Sequence, residues 1–117
     1  MIRMARVYEP PGKRDGWRVL VDRLWPRGLK KRAAKVDEWM KEVAPSNELR
    51  KWFGHKPEHW AEFKKRYRGE LAKKKYLIES LRALERKHGT LTLLFGAKDE
   101  QHNQAEVLCE LLKAKRE

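Results

Sequence analysis

Two short stretches of this chain hold most of the side chains able to do chemistry. Asp22, Arg23 and Arg27 fall within Val21-Asp22-Arg23-Leu24-Trp25-Pro26-Arg27-Gly28, and Lys98, Asp99, His102 and Asn103 fall within Ala97-Lys98-Asp99-Glu100-Gln101-His102-Asn103. Arginine presents a planar fork of donors that matches a phosphate or carboxylate, and Lys98 would add a point charge to Arg23 and Arg27. Asp22 would orient an arginine or act as a base. His102 is the candidate for proton transfer, because an unperturbed imidazole titrates at about 6.5. Asp99 and Asn103 offer hydrogen bonds, and Trp25 offers a wall or a stacking surface. The chemistry this set suggests is the binding of a small anion such as a nucleotide or phosphate ester, with Asp22 and His102 as the groups that would act on it. The same residues also have a purely architectural reading. Asp22 would pair with an arginine, His102 or Asn103 would cap a helix, Trp25 would cover the edge of the core and Pro26 would shape a turn.

Other chemistry is thinly represented. His55 and His59 have the i, i+4 spacing of helical zinc ligands, but Pro57 between them opposes a continuous helix and no third ligand lies nearby. No metal site is expected. Ser46 with His102 and Asp22 or Asp99 has the composition of a nucleophilic triad, yet an N-cap role also accounts for Ser46. The single cysteine, Cys109, shares a helical face with Ala105, Leu108 and Leu112, which reads as core. No G-x-G-x-x-G or P-loop glycine pattern occurs, and any cofactor stays unknown.

The elements that must position these residues follow from the apolar pattern. Val19-Leu20-Val21 and Leu91-Thr92-Leu93-Leu94-Phe95 are short apolar runs suited to strands buried on both faces. Each breaks at once into charged residues. Ligands of open α/β sheets bind outside the carboxyl ends of the strands, where the topology changes direction. Ile2 to Tyr8 alternates as a strand with Ile2, Met4 and Tyr8 on one face, and Pro10-Pro11-Gly12 and Asp15-Gly16 mark a loop. Trp17 to Asp22 is the second strand. Lys30 to Lys35 reads as a basic turn or short helix, and Val36 to Val43 as a short strand. Ser46 caps a helix ending at Phe53 and Gly54; Pro57 opens the next, with Trp60, Phe63, Tyr67 and Leu71 inward. A third carries Leu77, Ile78, Leu81 and Leu84 and stops at His88-Gly89. Thr90 to Phe95 is the last strand, and the final helix begins near Gln101 to Gln104 and runs to the tail. The expected fold is a single α/β domain. It is small and three-layered, with a mostly parallel sheet of three or four strands and about four helices in the order β-β-(β)-α-α-α-β-α. The helical excursion between the second and last strands should be a crossover that sets them parallel.

Composition limits the partners. At 117 residues with 40% hydrophobic side chains, the chain can bury one core despite 39% charged residues. No apolar run approaches the roughly 20 residues of a membrane span, and the start lacks the apolar region of a signal peptide, so a cytoplasmic protein is expected. The net charge is +12, while Asn, Gln, Ser and Thr occur only twice each. That balance is typical of proteins from hot habitats. It also leaves nucleic acid as an alternative partner. Lys30, Lys31 and Arg32 form one basic cluster, and Lys73, Lys74 and Lys75 form another. With Lys64, Lys65, Arg66 and Arg68, the second lies on the polar face of an amphipathic helix and its exit, for which a solvated face is the simpler reading. Neither oligomeric state nor the identity of a ligand follows from the sequence.

These residues also carry a resemblance. Leu20-Val21-Asp22-Arg23-Leu24-Trp25-Pro26-Arg27-Gly28 resembles the signature of the YeaO-like branch of DUF488, a family of unknown function. Ala44-Pro45-Ser46-Asn47-Glu48-Leu49-Arg50-Lys51-Trp52-Phe53, then Phe63 with Tyr67, Glu70 and Leu71, then Leu91 to Phe95 with Ala97-Lys98-Asp99 and His102-Asn103, agree with it in order. The resemblance implies a small cytoplasmic α/β protein of bacteria or archaea and supplies no activity, substrate or cofactor. Related branches carry a cysteine near the end of the last strand. Leu94-Phe95-Gly96 has none, so thiol chemistry does not carry over.

Overall fold

The structure, a computed structural model, describes residues 1–114. Four strands form one all-parallel sheet in the order β1-β4-β2-β3: β1 (Ile2–Arg6), β2 (Trp17–Leu20), β3 (Glu38–Trp39) and β4 (Leu91–Phe95). The two apolar runs sit side by side in the middle, with Val19 opposite Leu93 and Leu20 opposite Leu94. All five residues of β4 are buried, as a central parallel strand requires. The crossover expectation therefore holds. The first strand stops earlier than alternation suggests. Tyr8 leaves the sheet and is exposed, its hydroxyl donating to the Arg27 carbonyl at 2.8 Å.

The helices are α1 (Lys31–Ala34), α2 (Asn47–Phe53), α3 (Trp60–Ala72), α4 (Lys75–His88) and α5 (Gln104–Ala114). The basic turn is α1, one turn long. Val36 to Val43 divides into the two-residue β3 and a 3-10 turn at Lys41–Val43. Pro57 opens a 3-10 turn that leads into α3. The expected continuation of α5 into the tail, residues 115–117, lies outside the described residues.

Alternation divides the core in two. Ile2, Val19, Val21, Leu91, Leu93 and Phe95 face the longer helices, against Phe63 and Tyr67 of α3, Leu77 and Leu81 of α4, and Leu108, Cys109 and Leu112 of α5. Leu20, Leu94 and Val7 point the other way, where the cover is α1 and its flanking loop through Trp25, Leu29, Ala34 and Val36. This third layer is thin, and a buried polar network secures it. Arg18 ion-pairs with Asp15 and donates to the Ala34 and Lys35 carbonyls, each at 3.0 Å. The Thr92 hydroxyl donates to the Asp15 carbonyl at 2.6 Å. Gly16 is required here, since a Cβ would lie 2.2 Å from the Thr90 carbonyl oxygen.

The layering determines where a ligand can enter. After β2 the chain turns onto the α1 side; after β4 it turns into α5 on the opposite side. Adjacent parallel strands whose continuations diverge leave a crevice at their carboxyl ends.

Candidate functional site

A pocket of about 570 Å³ occupies that crevice. This lies within the roughly 300–1,000 Å³ of small-molecule sites. Asp22 and Gly96, just past the ends of β2 and β4, and Gln104, the first residue of α5, form its inner side. Tyr8, Trp25, Phe53 and Phe63 supply aromatic surface, and Arg23, Arg27, Arg50 and His55 are also among its lining residues.

The Asp22 carboxylate links the three elements around it. One oxygen accepts from the Gly96 backbone N–H at 3.0 Å and the other from the Gln104 side-chain amide. Its own carbonyl accepts from Trp39 Nε1 at 2.7 Å. Glycine at position 96 is a steric requirement of this approach, because a Cβ there would stand 2.8 Å from an Asp22 oxygen. Among the described residues no cation pairs with Asp22. Burial therefore dominates and lifts its pKa to about 6, against the lowering effect of the Gly96 and Gln104 hydrogen bonds.

The three arginines differ. Arg23 is committed to the fold: Nε donates to the Pro45 carbonyl at 2.9 Å and one terminal nitrogen to the Ala44 carbonyl at 3.0 Å. It thereby ties the segment before α2 to the end of β2. Arg27 and Arg50 are exposed, and among the described residues neither guanidinium has an acidic or hydrogen-bonding partner. Trp25 lines the pocket while donating to the Leu29 carbonyl at 2.7 Å and meeting Trp39 edge-on, so it walls the site and closes the core edge at once.

The second sequence cluster separates. Asn103 lines the pocket, but its amide is occupied: Oδ1 accepts from the Glu106 N–H at 3.1 Å and Nδ2 donates to the Asp99 carbonyl at 2.9 Å, capping α5. Lys98, Asp99 and His102 are not among the lining residues. Asp99 accepts from the Gln101 and His102 N–H groups and holds His102 Nδ1 at 2.9 Å, which lowers its pKa; the Gln101 hydrogen bond has the largest effect. His102 also meets the Trp60 ring edge-on. Its bond to Asp99 makes a local turn outside the pocket's lining.

Ser46 caps α2, accepting from the Leu49 N–H at 3.1 Å, while its own hydroxyl donates to Glu70 at 2.6 Å. Cys109 is buried in the helical core. His59 stacks on Trp52, His55 lies on the pocket, and the described residues contain no group of three metal-ligating side chains. Lys30, Lys31 and Arg32 are exposed at α1. Lys73 and Lys75 are exposed between α3 and α4, where Lys74 donates to the Glu42 carbonyl at 3.1 Å.

Sequence reasoning missed Gln104, Arg50, His55 and Tyr8 as lining residues. Its place as the first residue of α5, the helix that follows β4, is a readable signal for Gln104. The others arrive from elsewhere in the chain and leave no local pattern.

Comparison with known proteins agrees with the family resemblance of the chain. A family model described as "Inactive DUF488-N3 subclade" matches residues 1–117. The chain is 44% identical over 113 residues to the uncharacterized protein YeaO of Escherichia coli (strain K12), covering 97% of both. It is 44% identical over 111 residues to the uncharacterized proteins Mb3100c of Mycobacterium bovis and Rv3073c of Mycobacterium tuberculosis, covering 95% of this chain and 92% of theirs. No solved structure matches significantly.

Proposed function

The chain belongs to the inactive DUF488-N3 subclade, and we propose from its pocket that it binds a small anionic ligand, a nucleotide or phosphate ester, at the carboxyl ends of β2 and β4. The carrying observation is the pair of guanidinium groups, Arg27 and Arg50, that line the pocket without a partner among the described residues. Such groups are free to bind phosphate or carboxylate bidentately. The subclade's description favours binding over turnover. So does the state of the reactive side chains: Ser46 is engaged by Glu70 and Leu49, and Cys109 is in the core.

Calorimetric titration with phosphate esters and carboxylates tests this. Arg27→Ala and Arg50→Ala should each weaken binding of the best ligand by roughly 10-fold or more, the worth of a charged hydrogen bond. Both guanidinium groups are exposed and unpaired among the described residues, so the melting temperature should change little. Unchanged affinity in both variants would overturn the proposal.

A further inference from the structure

Asp22 is out of place in a pocket built only for an anion. It is a carboxylate on the inner side of a cavity that also bears Arg23, Arg27 and Arg50, yet none of these pairs with it. Among the described residues its two oxygens have one donor each, Gly96 N–H and Gln104 Nε2. A carboxylate offers about four acceptor positions, so about one per oxygen remains for the ligand. An ionised carboxylate accepts only. A ligand that fills this pocket must therefore bring N–H or O–H donors to Asp22 and keep its anionic group on the arginines.

The rest of the lining narrows the class. A small zwitterion would leave most of about 570 Å³ to water, and would leave Trp25, Phe53 and Phe63 uncovered. A planar ring presented beside these aromatic side chains uses that surface. Two adjacent donors facing two carboxylate oxygens is the pattern of guanine, whose ring N1–H and exocyclic amine lie on one edge. Adenine and cytosine place a ring acceptor beside their amine and would set a lone pair against Asp22.

Resting on the anion-site reading above, we infer that the ligand is a purine nucleotide whose base turns a two-donor, guanine-type edge to Asp22 while its phosphate lies on Arg27 and Arg50. The raised pKa of Asp22 adds a consequence. When protonated, the group becomes a donor beside an acceptor, which suits adenine better than guanine. Discrimination should thus fall as the pH drops below about 6.

The experiment is calorimetric titration at pH 7.5 with GMP, IMP, AMP and ribose 5-phosphate, on the wild-type protein, Asp22→Asn and Arg27→Ala. GMP should bind roughly 10- to 100-fold tighter than AMP or ribose 5-phosphate, the worth of one or two hydrogen bonds to a charged group. IMP, which lacks the exocyclic amine, should fall between. Asp22→Asn should lose the GMP advantage and keep ribose 5-phosphate binding, which also reports that the variant is folded. Arg27→Ala should weaken every ligand together. Equal binding of GMP, IMP and AMP that is lost in Arg27→Ala would overturn this inference and leave the anion site standing. Failure of all four ligands would overturn this inference, and the anion site falls with it only if Arg27→Ala and Arg50→Ala both leave the affinity of its best ligand unchanged.

Discussion

Asp22 is where this chain departs most from what stability alone would select. Its native pKa of about 6 lies above the ordinary aspartate value of 3.8, and burial is the main cause. For a carboxylate raised in this way, the native state binds the proton more tightly than the unfolded state between those two values. Stability linked to Asp22 is therefore highest with the group protonated, falls as pH rises from about 4 through 6, and is fully reduced at neutral pH. One pKa unit corresponds to about 1.4 kcal/mol, so ionisation costs about 1–3 kcal/mol here once access to solvent through the pocket is allowed for. Asparagine keeps an acceptor for the Gly96 N–H, and Gln104 can turn its amide to meet the new donor. Asp22→Asn should thus be more stable than the wild type by about 1–3 kcal/mol at pH 7.5, with the gap closing towards pH 4.5. Urea unfolding at several pH values measures this, and a gap that widens on acidification would refute it. The proposed ligand contact with Asp22 would account for a carboxylate kept in a cleft at such a cost.

At the scale of elements, α2 is anchored by a contact that joins it to α3. Ser46 accepts from the Leu49 N–H, as an N-cap does, and both its backbone N–H (2.9 Å) and its hydroxyl (2.6 Å) donate to Glu70. Ser46→Ala should cost about 1–2 kcal/mol, the upper part of the range for an N-cap. Aspartate is intrinsically as good a cap as serine, but Ser46→Asp would set a second carboxylate against Glu70. It should therefore destabilise as well, and Glu70→Gln should restore it; thermal unfolding of the two single variants and the double variant separates these effects. A neutral Ser46→Asp would show that Glu70 does not govern the cap. This cap was legible in Pro45-Ser46-Asn47-Glu48, as were the parallel central strands in two apolar runs, because both signals are local. Val36 to Val43 was hard to read because two strand residues and one 3-10 turn are too short to show a period. The site was legible at Asp22, Arg27 and Trp25, which follow directly from the end of β2. Arg23 and Arg27 look alike in the sequence, and only the tertiary structure separates a clamp on Ala44 and Pro45 from a free guanidinium. Gln104 and Arg50 reach the pocket by long-range packing, to which local periodicity is blind.

At the scale of the whole molecule, the sequence carries 29 basic side chains against 17 acidic ones, and the fold measures 38 × 35 × 21 Å. Some of that excess is neutralised on the surface, as where Lys64 and Arg68 share Glu110. Much of it is not: Lys30, Lys31, Arg32, Lys73 and Lys75 are exposed. A field of this sign attracts any polyanion whatever the pocket is for. The wild type should therefore bind single-stranded oligonucleotides without sequence preference, at Kd values on the order of 10⁻⁵ M at physiological salt and weakening steeply as salt rises. Each phosphate contact contributes roughly 0.7 to the log–log salt slope for a single strand. Converting Lys73, Lys74 and Lys75 to Gln should reduce that slope by up to about 2 if those lysines carry the contact. Arg27→Ala should alter it by less than about one contact's worth. Fluorescence anisotropy across a salt series makes the comparison. Tight, sequence-selective binding that survives salt would assign the charged surface a specific nucleic-acid role and demote the pocket. Weak, salt-sensitive binding alongside salt-resistant nucleotide binding would separate the molecule's two kinds of affinity, the general one set by net charge and the particular one by the crevice between β2 and β4.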